Sequence, residues 1–119
     1  MSDELLRHFF GGFVRLHILY HAGQEPICGV EMIEELGRHG YRLSPGTLYP
    51  ILHQLEDAGY LTCSEAAVDG RRRKNYRITS AGRTLLEEGR AKLRELFSEV
   101  VEDGPPQPAT PARQNRKKR

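Results

Sequence analysis

A mainly α fold with one small β-hairpin is predicted by three observations. Apolar residues recur at helical spacing in four separate stretches of the chain. Two short runs of strand character, Tyr60-Leu61-Thr62-Cys63-Ser64 and Asn75-Tyr76-Arg77-Ile78-Thr79, stand on either side of an Asp69-Gly70 turn signal. Turn signals at His21–Pro26, His39–Arg42 and Gly59 separate these segments.

The first helix is expected from Asp3 to about Ala22. Its apolar residues Leu5, Leu6, Phe9, Phe10, Phe13, Leu16, Leu19 and Tyr20 form an arc wider than a surface helix needs, which points to a subunit interface as well as a core. Gly11-Gly12 weakens its middle. His21 to Pro26 reads as a loop, and a second helix follows from about Gly29 to Arg38, with Val30, Ile33 and Leu36 on one side and Glu31, Glu34 and Glu35 outward. His39-Gly40-Tyr41-Arg42 has the composition of a turn in which Gly40 can adopt positive φ. Ser44 is a good N-cap for the third helix and Pro45 suits its first position. Leu48, Ile51, Leu52 and Leu55 bury one face of that helix, Pro50 removes one backbone donor, and Gly59 ends it. Ser80 can cap a final helix running to about Glu102, whose apolar residues include Leu85, Leu86, Leu93, Leu96, Phe97, Val100 and Val101. Helix, helix, turn, helix, hairpin, helix is the order of a winged helix-turn-helix with an added C-terminal dimerisation helix.

The expected organisation is a DNA-binding domain over 1–79, a dimerisation helix over 80–103 and a Pro-rich basic tail over 104–119. The net charge of +2 conceals a split. Residues 104–119 hold five bases and no acids, leaving 13 basic and 16 acidic residues in 1–103, a net of −3. The placement of charge therefore carries more information than its sum. No run of apolar residues is long enough to span a membrane. Asp3 and Glu4 stand where a secretory leader would be positive, and Cys28 and Cys63 lie outside any C-x-x-C spacing. A cytoplasmic location follows as the expectation.

Two features point to the DNA duplex. The third helix opens with Ser44, Pro45, Gly46, Thr47, Tyr49 and Pro50, and its acids Glu56 and Asp57 lie at the far end, so the N-terminal half is the one that approaches phosphates. On a helical wheel, Gly46, Tyr49, Pro50, His53 and Asp57 lie opposite Leu48, Leu52 and Leu55. The hairpin adds Arg71, Arg72, Arg73 and Lys74 in a row, cations suited to neutralise phosphates or enter the minor groove.

The stretch Ser44-Pro45-Gly46-Thr47-Leu48-Tyr49-Pro50, continued through Leu52-His53-Gln54-Leu55-Glu56-Asp57-Ala58-Gly59-Tyr60-Leu61, resembles the recognition-helix signature of PadR-type transcriptional regulators. Arg72 to Gly82 is similar to that family's wing strand and its entry to the last helix. The resemblance covers roughly residues 5–101 and implies a homodimeric repressor, released from a palindromic double-stranded operator by a small molecule or another signal. It implies DNA contacts by Ser44, Pro45, Thr47, Tyr49, Pro50 and His53 on the helix and by Arg72 to Lys74 on the wing, joined on charge by Arg71. First and last helices would form the dimer, through Leu6, Phe9, Phe10, Phe13, Leu86, Leu93, Leu96, Phe97 and Val100. The final helix is single, as in the small members of the family. The second helix opens Cys28-Gly29-Val30 where the family often has His-Gly-Tyr, and there is no Trp to stack a flat ligand.

Other chemistry is weaker. His17 and His21 have the i, i+4 spacing of a metal pair, but no companion cluster lies nearby in sequence, and no metal or cofactor is assigned. Phe9, Phe10, Phe13 and Phe97 read as dimer core before they read as an effector pocket at the dimer interface. No nucleophile or metal set has catalytic spacing, so an enzyme is not expected. A protein-interaction or RNA-binding winged helix is the alternative, but it predicts an acidic or apolar face where Arg71–Lys74 stand.

Overall fold

The computed structural model describes residues 2–102. The Pro-rich segment and basic tail expected over 104–119 lie outside the described residues. In order, the elements are α1 (Ser2–Gln24), β1 (Ile27–Cys28), α2 (Gly29–Arg38), α3 (Pro45–Asp57), β2 (Leu61–Val68), β3 (Arg71–Ile78) and α4 (Ser80–Val100). The strands form one antiparallel sheet in the order β1-β3-β2. The fold is thus mainly α with a small sheet, as expected, and α1 runs through Gly11-Gly12 and past Ala22 to Gln24.

The chain divides into two units, one through Gly89 and one from Arg90. In the first, a single core joins every element. Val14, Ile18, Leu19 and Ala22 of α1, Met32 and Leu36 of α2, and Leu48, Leu52 and Leu55 of α3 pack with Ile27, Leu61, Tyr76 and Ile78 of the sheet. Leu86 of α4 belongs to this cluster too, at 9% exposure. Expected at the subunit interface, it lies instead on the part of α4 that packs within the first unit. Gly82 shows how close that packing is: a Cβ there would stand 2.6 Å from Ile78 Cγ1 and would also collide with the Tyr60 carbonyl.

Local chemistry explains the helix ends. The Cys28 N–H donates to Glu31 Oε1 at 3.1 Å, capping the start of α2. At its end the Tyr41 N–H donates to the Leu36 carbonyl and the Gly40 N–H to Gly37, a Schellman closure that Gly40 allows with φ 90°. The same closure ends α3, through Tyr60 to Leu55 and Gly59 to Glu56, with Gly59 at φ 89°. Ser44 receives the first helical bonds of α3 on its carbonyl, while its hydroxyl meets Thr47 Oγ1 at 3.3 Å. The cap of α4 is Thr79, not Ser80: the Thr79 hydroxyl accepts from the Gly82 N–H at 3.0 Å and donates to the Gly59 carbonyl at 2.6 Å. It thereby ties the start of α4 to the end of α3.

The inward side of α2 differs from expectation. Gly29, Met32 and Leu36 are buried, Ile33 is half-buried and Val30 is 62% exposed. Positions i, i+3 and i+7 define the packed stripe, and Val30 falls off its edge toward the hairpin. Both hairpin strands also run further than their hydrophobicity implied. Their outer halves are exposed on both faces, so burial leaves no pattern there; the ladder itself holds them, closed by Asp69 and Gly70 at φ 53° and 77°. Positive φ at both central residues is what a two-residue hairpin turn needs.

Candidate nucleic-acid interface

The first turn of α3 is open to solvent. Ser44, Pro45, Gly46, Thr47, Pro50 and His53 are all exposed, and the helix begins with its positive dipole end facing outward. Leu48, Leu52 and Leu55 anchor the opposite face in the core. Arg15 of α1 braces the helix further along, donating to Gln54 Oε1 at 3.1 Å and to the Gly11 carbonyl at 3.0 Å.

Tyr49 departs from the helical-wheel placement. It is half-buried and packs against the core, with its phenol over Gly29 so closely that a Cβ on Gly29 would overlap the ring. Tyr49 therefore fixes the start of α3 to the start of α2. It also lines an open groove of about 860 Å³, bounded by Gly29 and Val30 on one side and the hairpin on the other.

The hairpin supplies the charge. Arg71, Arg72, Arg73 and Lys74 are all exposed and all line this groove. Two are held by acids: Arg72 pairs with Glu65 across the ladder at 3.1 Å, and Arg73 reaches Glu31 at the start of α2 at 3.9 Å. Arg71 and Lys74 have no carboxylate within 4.0 Å among the described residues. Glu31 and Glu65 are the site residues that sequence reasoning missed. Only the hairpin register and the packing of α2 against β3 reveal which acids reach the wing.

Cys28 is buried, Cys63 is half-buried, and both are free thiols. Burial pushes the Cys63 thiol up, and burial pushes the facing Tyr76 hydroxyl up to about 12.

Apart from Leu86, the residues expected at a subunit interface fall into two exposed sets, one in each unit. On α1, Leu6, Phe9, Phe10 and Phe13 are exposed together with Leu5, and Phe10 meets Tyr41 edge-on at 6.3 Å. On the second unit, Leu93, Leu96, Phe97 and Val100 are exposed with Val101, a stripe at i, i+3, i+4, i+7 and i+8. No described helix is long and apolar enough to cross a membrane.

A helix-turn-helix core that presents the N-terminus of its third helix beside a four-cation hairpin defines a winged-helix DNA-binding protein. The chain belongs to the PadR-like family of transcriptional regulators, whose model matches residues 18–88. It is similar to a transcriptional regulator of Mycobacterium tuberculosis, 52% identical over 96 residues that make up 81% of this chain and 90% of the relative. It is also similar to a transcriptional activator of Halobacterium salinarum, 34% identical over 82 residues, 68% of this chain but 39% of that protein. Among solved structures, a PadR-like transcriptional regulator from Bacillus cereus superposes with a TM-score of 0.76 at 27% identity, covering 84% of this chain and 99% of that one. The chain is thus a transcriptional regulator, of a family that acts by binding DNA and not by catalysis.

Proposed function

We propose that this regulator is a homodimeric repressor that sits on a palindromic operator and leaves it in response to a signal. The observation that carries the reading is the groove flanked by the open first turn of α3 and the exposed bases Arg71–Lys74. Ser44, Pro45, Thr47, Pro50 and His53 face the major groove, with the Tyr49 hydroxyl at its edge, and the wing cations take adjacent phosphates. The exposed apolar stripes on α1 and on the C-terminal part of α4 each meet a second chain, because a monomer leaves Phe9 at 52% and Phe97 at 50% exposure. An effector at the dimer interface would act by changing the spacing of the two recognition helices. Repression needs nothing beyond occupancy of a promoter, whereas the relative named as an activator spans a longer protein.

Footprinting on the DNA upstream of its own gene tests this. An inverted repeat with half-sites about one or two helical turns apart is the expected protection. Binding indifferent to sequence overturns it, and transcription in vitro separates repression from activation.

A further inference from the structure

His17 and His21 lie one turn apart on α1, and the fold brings His39, the C-cap residue of α2, against them. One ligand atom from each imidazole lies within 4.8 Å of the other two. The rings stack, His17 on His39 with centroids 4.6 Å apart and His17 on His21 at 6.1 Å. Glu35, one turn before His39 on α2, places Oε1 4.0 Å from His21 Nε2, while Arg38 holds its other oxygen. Tyr41 meets His17 edge-on and Tyr20 meets His21 edge-on, so aromatic rings wall the cluster.

Three imidazoles packed this closely call for an explanation. His21 Nε2 is buried and has no hydrogen-bond partner among the described residues, so its desolvation is left uncompensated. Burial, followed by the neighbouring histidines, holds His17 below its ordinary value. Burial holds His21 low as well, against the opposing pull of Glu35.

We propose that His17, His21 and His39, with Glu35 as fourth ligand, bind a borderline divalent transition-metal ion of the Zn²⁺ type. Three nitrogens and one carboxylate oxygen suit that class, whereas Ca²⁺ and Mg²⁺ prefer all-oxygen sets. A tetrahedral site with bonds of about 2.0–2.1 Å sets ligand atoms roughly 3.3–3.4 Å apart, so the three imidazole nitrogens, now within 4.8 Å of one another, close in on the ion when it binds. The ion would join α1 to the end of α2, where the connection to α3 begins. The site shares no residue with the groove of the wing, so the proposal stands or falls independently of how DNA is bound.

The test uses the full, untagged chain, stripped of metal by chelator dialysis. It is titrated with Zn²⁺ by calorimetry and with Co²⁺ by visible absorption. The expected result is one ion per chain and the intense visible bands of tetrahedral Co²⁺. His39→Ala, at an exposed position, weakens binding at least about tenfold, Glu35→Gln weakens it less, and His8→Ala leaves it unchanged. Absence of Zn²⁺ binding, or equal binding by the His39→Ala protein with its helical circular dichroism intact, overturns the proposal and leaves a water-filled or merely stacked histidine cluster.

Discussion

The phenol of Tyr49 lies over the bare Cα of Gly29, and no other residue type leaves room for it. This contact locks the first turns of α2 and α3 together at the edge of the wing groove. Gly29→Ala should therefore force Tyr49 out and cost about 1–3 kcal/mol of stability, the range for overpacking a close contact. Urea unfolding measures it. The double variant with Tyr49→Ala should lose less than the two single costs together, because both act on one contact. Strict additivity would show the contact to be irrelevant.

The wing prediction concerns salt. Replacing Arg72, Arg73 and Lys74 together by Ala should weaken operator binding. It should also lower the dependence of log K on log salt by about 2.7, from roughly 0.9 per lost phosphate contact on B-DNA. Fluorescence anisotropy across a salt series reads both. An unchanged slope would remove the hairpin from the interface.

Glu65 holds Arg72 at 3.1 Å, but it also places a carboxylate where phosphates approach. Glu65→Gln keeps the shape and removes the charge. Exposed pairs are worth about 0–1 kcal/mol, so affinity for DNA should rise roughly two- to fivefold at low salt. A fall in affinity would mean that Glu65 matters for aiming Arg72 more than for opposing the backbone.

Leu86 and Phe97 should behave as opposites. Leu86→Ala removes a buried side chain from the core and should cost about 2–5 kcal/mol in thermal or urea unfolding. Phe97→Asp acts on an exposed ring, so it should leave the helical signal intact and convert the chain to monomers in sedimentation. A dimer that survives Phe97→Asp would move the interface elsewhere.

Zn²⁺ should stabilise the chain by mass action. At a free concentration a hundredfold above Kd the gain is about 2.7 kcal/mol. Each kcal/mol raises Tm by roughly 4–8 °C in a domain of this size. Thermal melts with and without a chelator check this, and the His39→Ala protein, binding about tenfold more weakly, should show a shift of about half the size or less at the same Zn²⁺ concentration.

Most of the fold was legible in the order of residues, because its determinants are local. Helical spacing marked α1 to α4, Ser44-Pro45 marked the start of α3, Gly40 and Gly59 marked two Schellman ends, and Asp69-Gly70 marked the turn of the hairpin. The two-residue β1 left no periodic trace, and the outer halves of β2 and β3 carry no burial pattern to read. Thr79 and Ser80 are both good caps, and only the packing of Gly82 on Tyr60 and Ile78 selects Thr79.

The sequence by itself determined the class of protein. The motif at Ser44–Pro50 and the cationic run Arg71–Lys74 are contiguous, so their chemistry is written in neighbouring letters. Tertiary structure alone decided what depends on distant segments meeting. It turned Tyr49 toward Gly29, set Glu31 and Glu65 against the wing, drew Leu86 into the core and laid His39 beside His17 and His21. Each is a contact between elements whose mutual placement is set by the shared core, and no spacing along the chain encodes it.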